Sequence, residues 1–316
     1  MPLHITTPLV ESAPLSRAAG RRIWLKLEAL QPPGSFKIRG IGAACEHHAQ
    51  RGARRLLSSS GGNAGLAVAY AGRRLGLPVK VVVPETTSAR AQALLRQEGA
   101  ELLVHGASWQ EANTLALSMV QATDAFIHPF DDPLLWRGHA SMVDEVAASG
   151  LRPDAVLLAV GGGGLLAGVM EGLARNGWGA LPVLAAETQG AASLHAAMQA
   201  GRPTALPAIT SIASSLGARQ VCDQAFALSQ GGRVRSVLVS DADAVAACCR
   251  FLDDHRLLVE PACGAALAVA YEGLPELSDY ACILTIVCGG ATASAQQLMA
   301  WDAHFHPAQG EQHGRL

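Results

Sequence analysis

Gly34-Ser35-Phe36-Lys37-Ile38-Arg39-Gly40 decides how this chain reads. A lysine stands there between an aromatic and a β-branched residue, bracketed by glycines and preceded by Pro32 and Pro33, so one long amine is held on punctuated backbone. Most lysines are surface charges on flexible stems, and Lys37 alone would read that way. Three other unusual stretches change the reading: SSSGGNAG at 58–65, GGGG at 161–164 and VCGG at 287–290.

Working outward from Lys37, the apolar pattern alternates between strands and helices. A short strand at 23–27 leads through the prolines to Lys37, and the Ala-rich run 38–51 reads as a helix. A strand ends at Leu56 and Leu57, a helix follows at 64–75, and 79–83 is a continuous β-branched run of the kind found in buried parallel strands. Helices are expected at 88–98 and 108–123, with a strand at 101–104 between them. After Asp131, Asp132 and Pro133 the pattern restarts: helix 138–149, strand 155–160, helix 164–176, strand 183–187 and helix 193–200. Strand 237–240, helix 241–255, a helix after Glu260 and strand 282–287 complete a second set. This alternation with short Gly or Pro punctuation predicts an α/β protein. A smaller lobe is expected at 36–135, and a larger one from 1–35 together with 136–316. The polar segment 304–316 reads as a frayed tail.

Composition excludes several classes. Of 316 residues, 50% are hydrophobic and 16% charged, which suits a compact chain with substantial cores and not a disordered one. A formal charge of −2 without a Lys/Arg cluster argues against a nucleic-acid partner. No uninterrupted apolar stretch is long enough to span a membrane, and the N-terminus has no basic start followed by an apolar run, so a cytoplasmic protein is expected. Seven cysteines without a CxxC spacing suggest neither a disulfide framework nor a zinc cluster; most read as small buried apolar residues. His105, His128 and His139 are scattered, with no pair at metal spacing, and read as ordinary polar residues or hydrogen-bonded partners, not ligands.

The glycine loops carry the chemistry. GGGG at 161–164 follows an apolar strand and opens a helix, leaving backbone N–H groups unshielded where the helix dipole favours anions. A phosphate monoester suits such a cup; a plain flexible turn is the competing reading. The spacing does not fit a dinucleotide GxGxxG, since Leu166 stands where the third glycine belongs, and no glycine-lysine-serine tail marks a P-loop. SSSGGNAG mixes hydroxyls, an amide and glycines at a strand-to-helix junction, a donor set suited to a carboxylate, with Asn63 also able to reach a ring oxygen. An ordinary N-cap at Ser60 or Asn63 is the alternative. VCGG ends the last strand in paired glycines that permit close approach, and Cys288 reads either as a core cysteine or as a thiol facing a ring nitrogen.

Taken in order, GSFKIRG, SSSGGNAG, GGGGLL and VCGG resemble the pyridoxal-phosphate enzymes of fold type II, the tryptophan synthase β group, and within it the L-serine dehydratase and L-threonine deaminase branch. The resemblance extends to PFDDP at 129–133, GHAS at 138–141, Glu187-Thr188 and VEPACGAAL at 259–267. It implies two open, twisted, mostly parallel α/β domains with the cofactor between them. It also implies that Lys37 carries the cofactor aldehyde and, once displaced, acts as base on the α-proton. Phe36 would pack beside the cofactor, Asn63 would bond its 3-hydroxyl, and Gly161, Gly162, Gly163, Gly164 and Leu165 would hold its phosphate. Ser60, Gly61, Gly62, Asn63 and Ala64 would receive the substrate carboxylate, and Cys288 would face the pyridine nitrogen. Glu187, Ala191, Ser215, Leu216 and Ala218 match positions where relatives bind a monovalent cation such as K+, mostly through carbonyls.

A neutral thiol at the ring nitrogen does not enforce its protonation, which suits β-elimination better than reactions that need a long-lived carbanion. The expected reaction is therefore deamination of L-serine, and of L-threonine, to a 2-oxo acid and ammonia by a homodimer. A serine racemase, another β-replacement enzyme of the same fold type, and a catalytically silent amino-acid sensor are the alternatives. Gly61 departs from relatives that often carry a side chain there; it loosens the loop and bears on rate and substrate preference.

Overall fold

Apolar β-branched runs need cover on both faces, and here they find it in two sheets flanked by helices. The computed structural model describes residues 1–307. In chain order the elements are β1 (Leu9–Glu11), α1 (Ala13–Ala19), β2 (Arg22–Lys26), α2 (Lys37–Gln50), β3 (Arg55–Ser58), α3 (Asn63–Leu75), β4 (Val79–Val83), α4 (Ala89–Gln97), β5 (Glu101–Val104), α5 (Trp109–Ser118), β6 (Asp124–Phe126) and α6 (Pro133–Ala148). They continue with β7 (Ala155–Ala159), α7 (Gly164–Arg175), β8 (Val183–Thr188), α8 (Ser193–Ala200), α9 (Asp223–Ser229), β9 (Val234–Val239), α10 (Asp241–His255), α11 (Pro261–Tyr271), β10 (Cys282–Ile286) and α12 (Ala295–Phe305).

One sheet has the order β1-β2-β10-β7-β8-β9, the other β5-β4-β3-β6. Every pairing is parallel except β1 with β2. The expected α/β class with mostly parallel sheets is what the chain adopts. Each sheet has its own apolar core: Leu157, Leu184 and Ile283 lie in the one around the larger sheet, Leu56, Val68 and Val81 in the one around the smaller. Helix α11 is buried at every residue, which explains its unbroken small-apolar sequence.

Several boundaries differ from the sequence reading. α6 begins at Pro133, not 138, because Asp132 caps it, its side chain accepting from the Leu134 N–H (2.7 Å), and proline fits the first turn. α5 ends at Ser118 instead of 123; the chain then forms β6, whose Asp124 pairs with Arg55 of β3. β1, α1 and α12 were not anticipated. α1 is set by the Ser12 cap, which accepts from the Leu15 N–H (3.2 Å), and by Gly20 in the left-handed region. His304 and Phe305 close α12 and His306 is its C-cap, so they are not tail; of that expectation, 308–316 lies outside the described residues.

A buried charge cluster ties the start of α2 to the larger sheet. Arg39, wholly buried, donates from Nε (2.7 Å) and Nη2 (2.8 Å) to the two carboxylate oxygens of Glu28, and from Nη1 (2.7 Å) and Nη2 (2.8 Å) to those of Glu145 on α6. Lys26 of β2 donates to Glu145 and to the Thr7 carbonyl (2.7 Å), while the Thr7 hydroxyl donates to Glu28 (2.6 Å). Two acids and two bases thus share one cluster, two residues along from Lys37.

Candidate active site

Open parallel sheets bind ligands outside the carboxyl ends of their strands, and here the motif loops leave from such ends. β3 runs into 59–62 and then α3, β7 into 160–163 and then α7, and β10 into 287–290. The first and last motifs are joined by backbone. Phe36 N–H donates to the Cys288 carbonyl (3.0 Å), Gly290 N–H donates to the Gly34 carbonyl (3.0 Å), and Ser35 bridges Gly289. Gly289 has φ +128°, and a Cβ there would run into the Gly34 carbonyl and Ser35. Glycine is what lets the two loops touch.

Lys37 is the first residue of α2, not a loop residue before it. Its Nζ donates to the Pro129 carbonyl (2.7 Å) and stands 5.2 Å from the centre of the Phe36 ring. The Lys37 side chain is half-buried. Burial pushes its pKa down to about 8, against a smaller upward pull from Cys288, Glu260 and Cys222. Phe36 is held from behind by His139, ring centres 4.8 Å apart, and His139 Nδ1 accepts from the Gly40 N–H (3.1 Å). His128 likewise accepts at Nδ1, from the Asp131 N–H (2.7 Å). Both histidines are hydrogen-bonding partners, as the sequence suggested, and no group of three or more His, Cys, Asp or Glu among the described residues could hold a metal ion.

The 161–164 loop is shaped by its neighbours. A Cβ on Gly162 would enter the Phe130 ring, one on Gly163 would meet Ala225, one on Gly164 would lie 2.7 Å from the Phe130 carbonyl, and one on Gly161 2.9 Å from the Ser215 carbonyl. Gly163, with φ +94°, is the N-cap of the twelve-residue helix α7, whose first residues, Gly164 and Leu165, are buried, and among the described residues the Gly161, Gly162 and Gly163 N–H groups donate to no backbone carbonyl. Bare glycine backbone at a helix N-terminus is an anion site by construction.

Asn63 and Ala64 open α3 behind the N-cap Gly62. The Gly62 N–H donates to Ser60 Oγ (3.3 Å), folding 60–62 into a tight turn that a Cβ on Gly61 would press against Thr87. The Asn63 side chain is buried, and its Nδ2 donates to Glu260 Oε1 (2.7 Å) and to Ser215 Oγ (3.3 Å). Thr292 Oγ1 donates to Glu260 Oε2 (2.9 Å). Cys288 is buried, and the neighbouring Cys263 thiol, then burial, keeps its own thiol well above the ordinary pKa, so it stays protonated.

The sequence reading missed Glu260, Thr292 and Pro129 as parts of the site. Glu260 was visible only inside VEPACGAAL, and an isolated Glu-Pro gives no sign that it reaches α3. Glu187, buried at the end of β8, accepts at one carboxylate oxygen from the Leu194 N–H and at the other from the His195 N–H (2.8 Å each) at the start of α8, and burial raises its pKa to about 7. Ala191 and Leu216 are each buried in a short 3-10 turn, and the Leu216 carbonyl accepts from the Ala218 N–H (2.8 Å). Ser215 turns its hydroxyl towards Asn63, so at least its side chain belongs to the Lys37 cleft.

Known proteins resemble the whole chain. It is 51% identical over 308 residues to the mouse protein "Serine dehydratase-like", covering 94% of this chain and 93% of that one. It is 46% identical over 310 residues to the human "L-serine dehydratase/L-threonine deaminase", covering 95% and 94%. Among solved structures, a fungal L-serine ammonia-lyase from Rhizomucor miehei superposes with a TM-score of 0.90 at 33% identity, over 96% of this chain and 98% of that one. A family model described as "Pyridoxal-phosphate dependent enzyme" matches residues 1–289, and with that match spanning both sheets and every motif loop except the final Gly290, the chain belongs to the pyridoxal-phosphate dependent enzymes.

Proposed function

We propose that this chain removes ammonia from L-serine, and from L-threonine, giving pyruvate or 2-oxobutanoate. The observation that carries the reading is the meeting of Lys37, Asn63 and Cys288 in one cleft: the 34–36 segment is bonded to 288–290, and both stand beside the Asn63–Glu260 pair. The names of relatives 51% and 46% identical agree with these substrates.

The residues fit pyridoxal phosphate on three observations. The 161–164 loop is a cradle in which added Cβ atoms would collide with Phe130, Ser215 and Ala225. Asn63 Oδ1 is buried without a partner among the described residues, leaving an acceptor for a ring hydroxyl. Burial lowers the Lys37 pKa to about 8, which favours the neutral amine that attacks an aldehyde. When bound, the cofactor supplies a conjugated ring that accepts electrons from the substrate α-carbon.

The chain's own residues do the remaining work. Gly161, Gly162, Gly163, Gly164 and Leu165 offer backbone N–H groups to the phosphate at the α7 N-terminus, and Phe36 covers one side of the ring. Cys288, kept as a neutral thiol, would be the partner of the ring nitrogen and would not give it a full proton. Ser60, Gly61, Gly62, Asn63 and Ala64, at the start of α3, bind the substrate carboxylate. With the substrate amine in place, Lys37 Nζ would be free to take the proton from the α-carbon, and its attachment at the first residue of α2 would limit where that proton can be reached. The β-hydroxyl would leave with that proton as water, returning Lys37 to its neutral form, and addition of water to the remaining enamine would yield the 2-oxo acid and ammonia.

In this reading the cleft separates a large lobe, 1–35 with 136–316, from a small one, 36–135. The working form is a cytoplasmic homodimer without a nucleic-acid partner; among the described residues no helix is long and apolar enough to cross a membrane. A monovalent cation such as K+ sits by Glu187, Ala191, Ser215, Leu216 and Ala218. The test is Lys37→Ala: the variant should lose both the visible absorbance of lysine-bound cofactor and ammonia release from L-serine. Retention of both would remove Lys37 from its assigned place, and D-serine accumulating in place of pyruvate with the parent enzyme would favour a racemase.

A further inference from the structure

The active-site account leaves one charged group without a task. Glu260 is the N-cap of α11, yet its side chain makes no bond to its own helix. It is buried, 6% exposed, and reaches away from α11 across the cleft. One carboxylate oxygen accepts from Asn63 Nδ2 on α3 and the other from Thr292 Oγ1, while its own N–H donates to the Gly289 carbonyl (3.4 Å). Leaving a carboxylate in such a place is costly unless its partners matter. Three segments, the start of α3, the turn holding Ser215 and the loop after Cys288, meet at this one side chain.

We infer that Glu260 is a positioning residue for the cofactor, fixing the orientation of the Asn63 amide that meets the cofactor's ring hydroxyl. The physical argument is one of donors and acceptors. An amide presents NH2 on one side and oxygen on the other, and nothing in its shape distinguishes the two ends. An ionised carboxylate accepts only, so it admits the NH2 end alone, and Ser215 Oγ is the second acceptor for the same nitrogen. The amide therefore has one orientation while Glu260 is charged, and Oδ1 is left without a protein partner among the described residues. A glutamine at 260 would admit either orientation. Reversal exchanges a donor for an acceptor beside the ring oxygen, which changes whether that oxygen keeps its proton. Thr292 acts one step further out by holding the second carboxylate oxygen.

The inference rests on the cofactor reading above, and the experiment separates the two. Purified protein is loaded with pyridoxal phosphate, and the ratio of the two absorbance bands of the lysine-bound cofactor, which report the protonation of its ring oxygen, is measured without substrate. Glu260→Gln should move that ratio by about tenfold, a 1.4 kcal/mol change in preference. In an Asn63→Ala background the same substitution should leave the ratio unmoved, because the effect runs through the amide. Thr292→Val should move the ratio in the same direction by less, and it serves in place of Glu260→Gln if that variant does not fold. An unchanged ratio in Glu260→Gln, or in Thr292→Val where it stands in, overturns the inference. So does a shift of equal size in the Asn63→Ala background, since Glu260 would then act on Lys37 or the ring directly through its field. Failure of the parent protein to develop either band would overturn the cofactor reading itself.

Discussion

Replacing Arg39 by methionine should destabilise the protein far more than loss of an ordinary arginine. The side chain is fully buried and supplies four hydrogen bonds of 2.7–2.8 Å to two carboxylates. Of those two, Glu145 keeps Lys26 as a partner and is partly open to solvent, so its charge remains compensated. Glu28 does not: wholly buried, it would keep only the neutral donors Thr7 Oγ1 (2.6 Å) and Gln31 Nε2 (3.2 Å). An uncompensated buried charge left by removing one partner costs about 3–5 kcal/mol, and methionine fills most of the arginine's stem volume, so little is added for a cavity. Most of the loss should trace to Glu28 alone. The double variant Glu28→Gln/Arg39→Met, which removes the stranded charge, should therefore recover at least half of the loss. Urea unfolding of the three proteins at equal m-value measures both differences. An Arg39→Met variant within about 0.5 kcal/mol of the parent, the range of ordinary surface changes, would refute the reasoning, as would a double variant no more stable than the single.

Other consequences can be checked separately. Gly163→Ala puts a side chain at φ +94° against Ala225 and should cost about 1–3 kcal/mol of stability and weaken pyridoxal-phosphate binding by tenfold or more, read by titration of the cofactor-free protein; parental affinity would show that the loop does not hold the phosphate. Lys37 keeps its proton to about pH 10.5 when unfolded but only to about 8 when folded. Between those values the unfolded chain binds more protons, so the cofactor-free protein should gain stability as pH rises from about 8 to about 10.5. Lys37→Met should lack that gain, and identical pH profiles would contradict the burial argument. Exchanging K+ for a bulky organic cation should lower activity if a cation sits by Glu187; undiminished turnover would dispose of that site.

How much of this was legible in the sequence depended on whether the signal was local. The 79–83 and 155–160 runs declared their buried strands because a strand covered on both faces is apolar throughout. Lys37 and the three glycine loops were legible because their chemistry lies in residues adjacent in sequence. β1 and β6 were not, at three residues each, since so short a run has no period and depends on a partner strand, Arg22–Lys26 or Arg55–Ser58. The α6 start is marked by Asp132-Pro133, a pair that by itself reads equally well as a loop in which the α/β pattern restarts. Arg39 stood in the opening heptapeptide, yet its acids Glu28 and Glu145 lie 11 and 106 residues away, and no spacing rule links them. Glu260 is the same case: its meeting with Asn63 joins residues 197 apart, and only the folded chain brings α3 to the end of β10.

The central claim is that Lys37, working with pyridoxal phosphate, eliminates the β-hydroxyl of a small amino acid. The most direct measurement is to titrate the cofactor-loaded protein with L-serine and L-threonine, following its visible absorbance together with the 2-oxo acid and ammonia released. The account predicts that the absorbance changes on mixing and that 2-oxo acid and ammonia appear in equal amounts, with neither product from Lys37→Ala. A bound amino acid that perturbs the spectrum while no 2-oxo acid forms would contradict it.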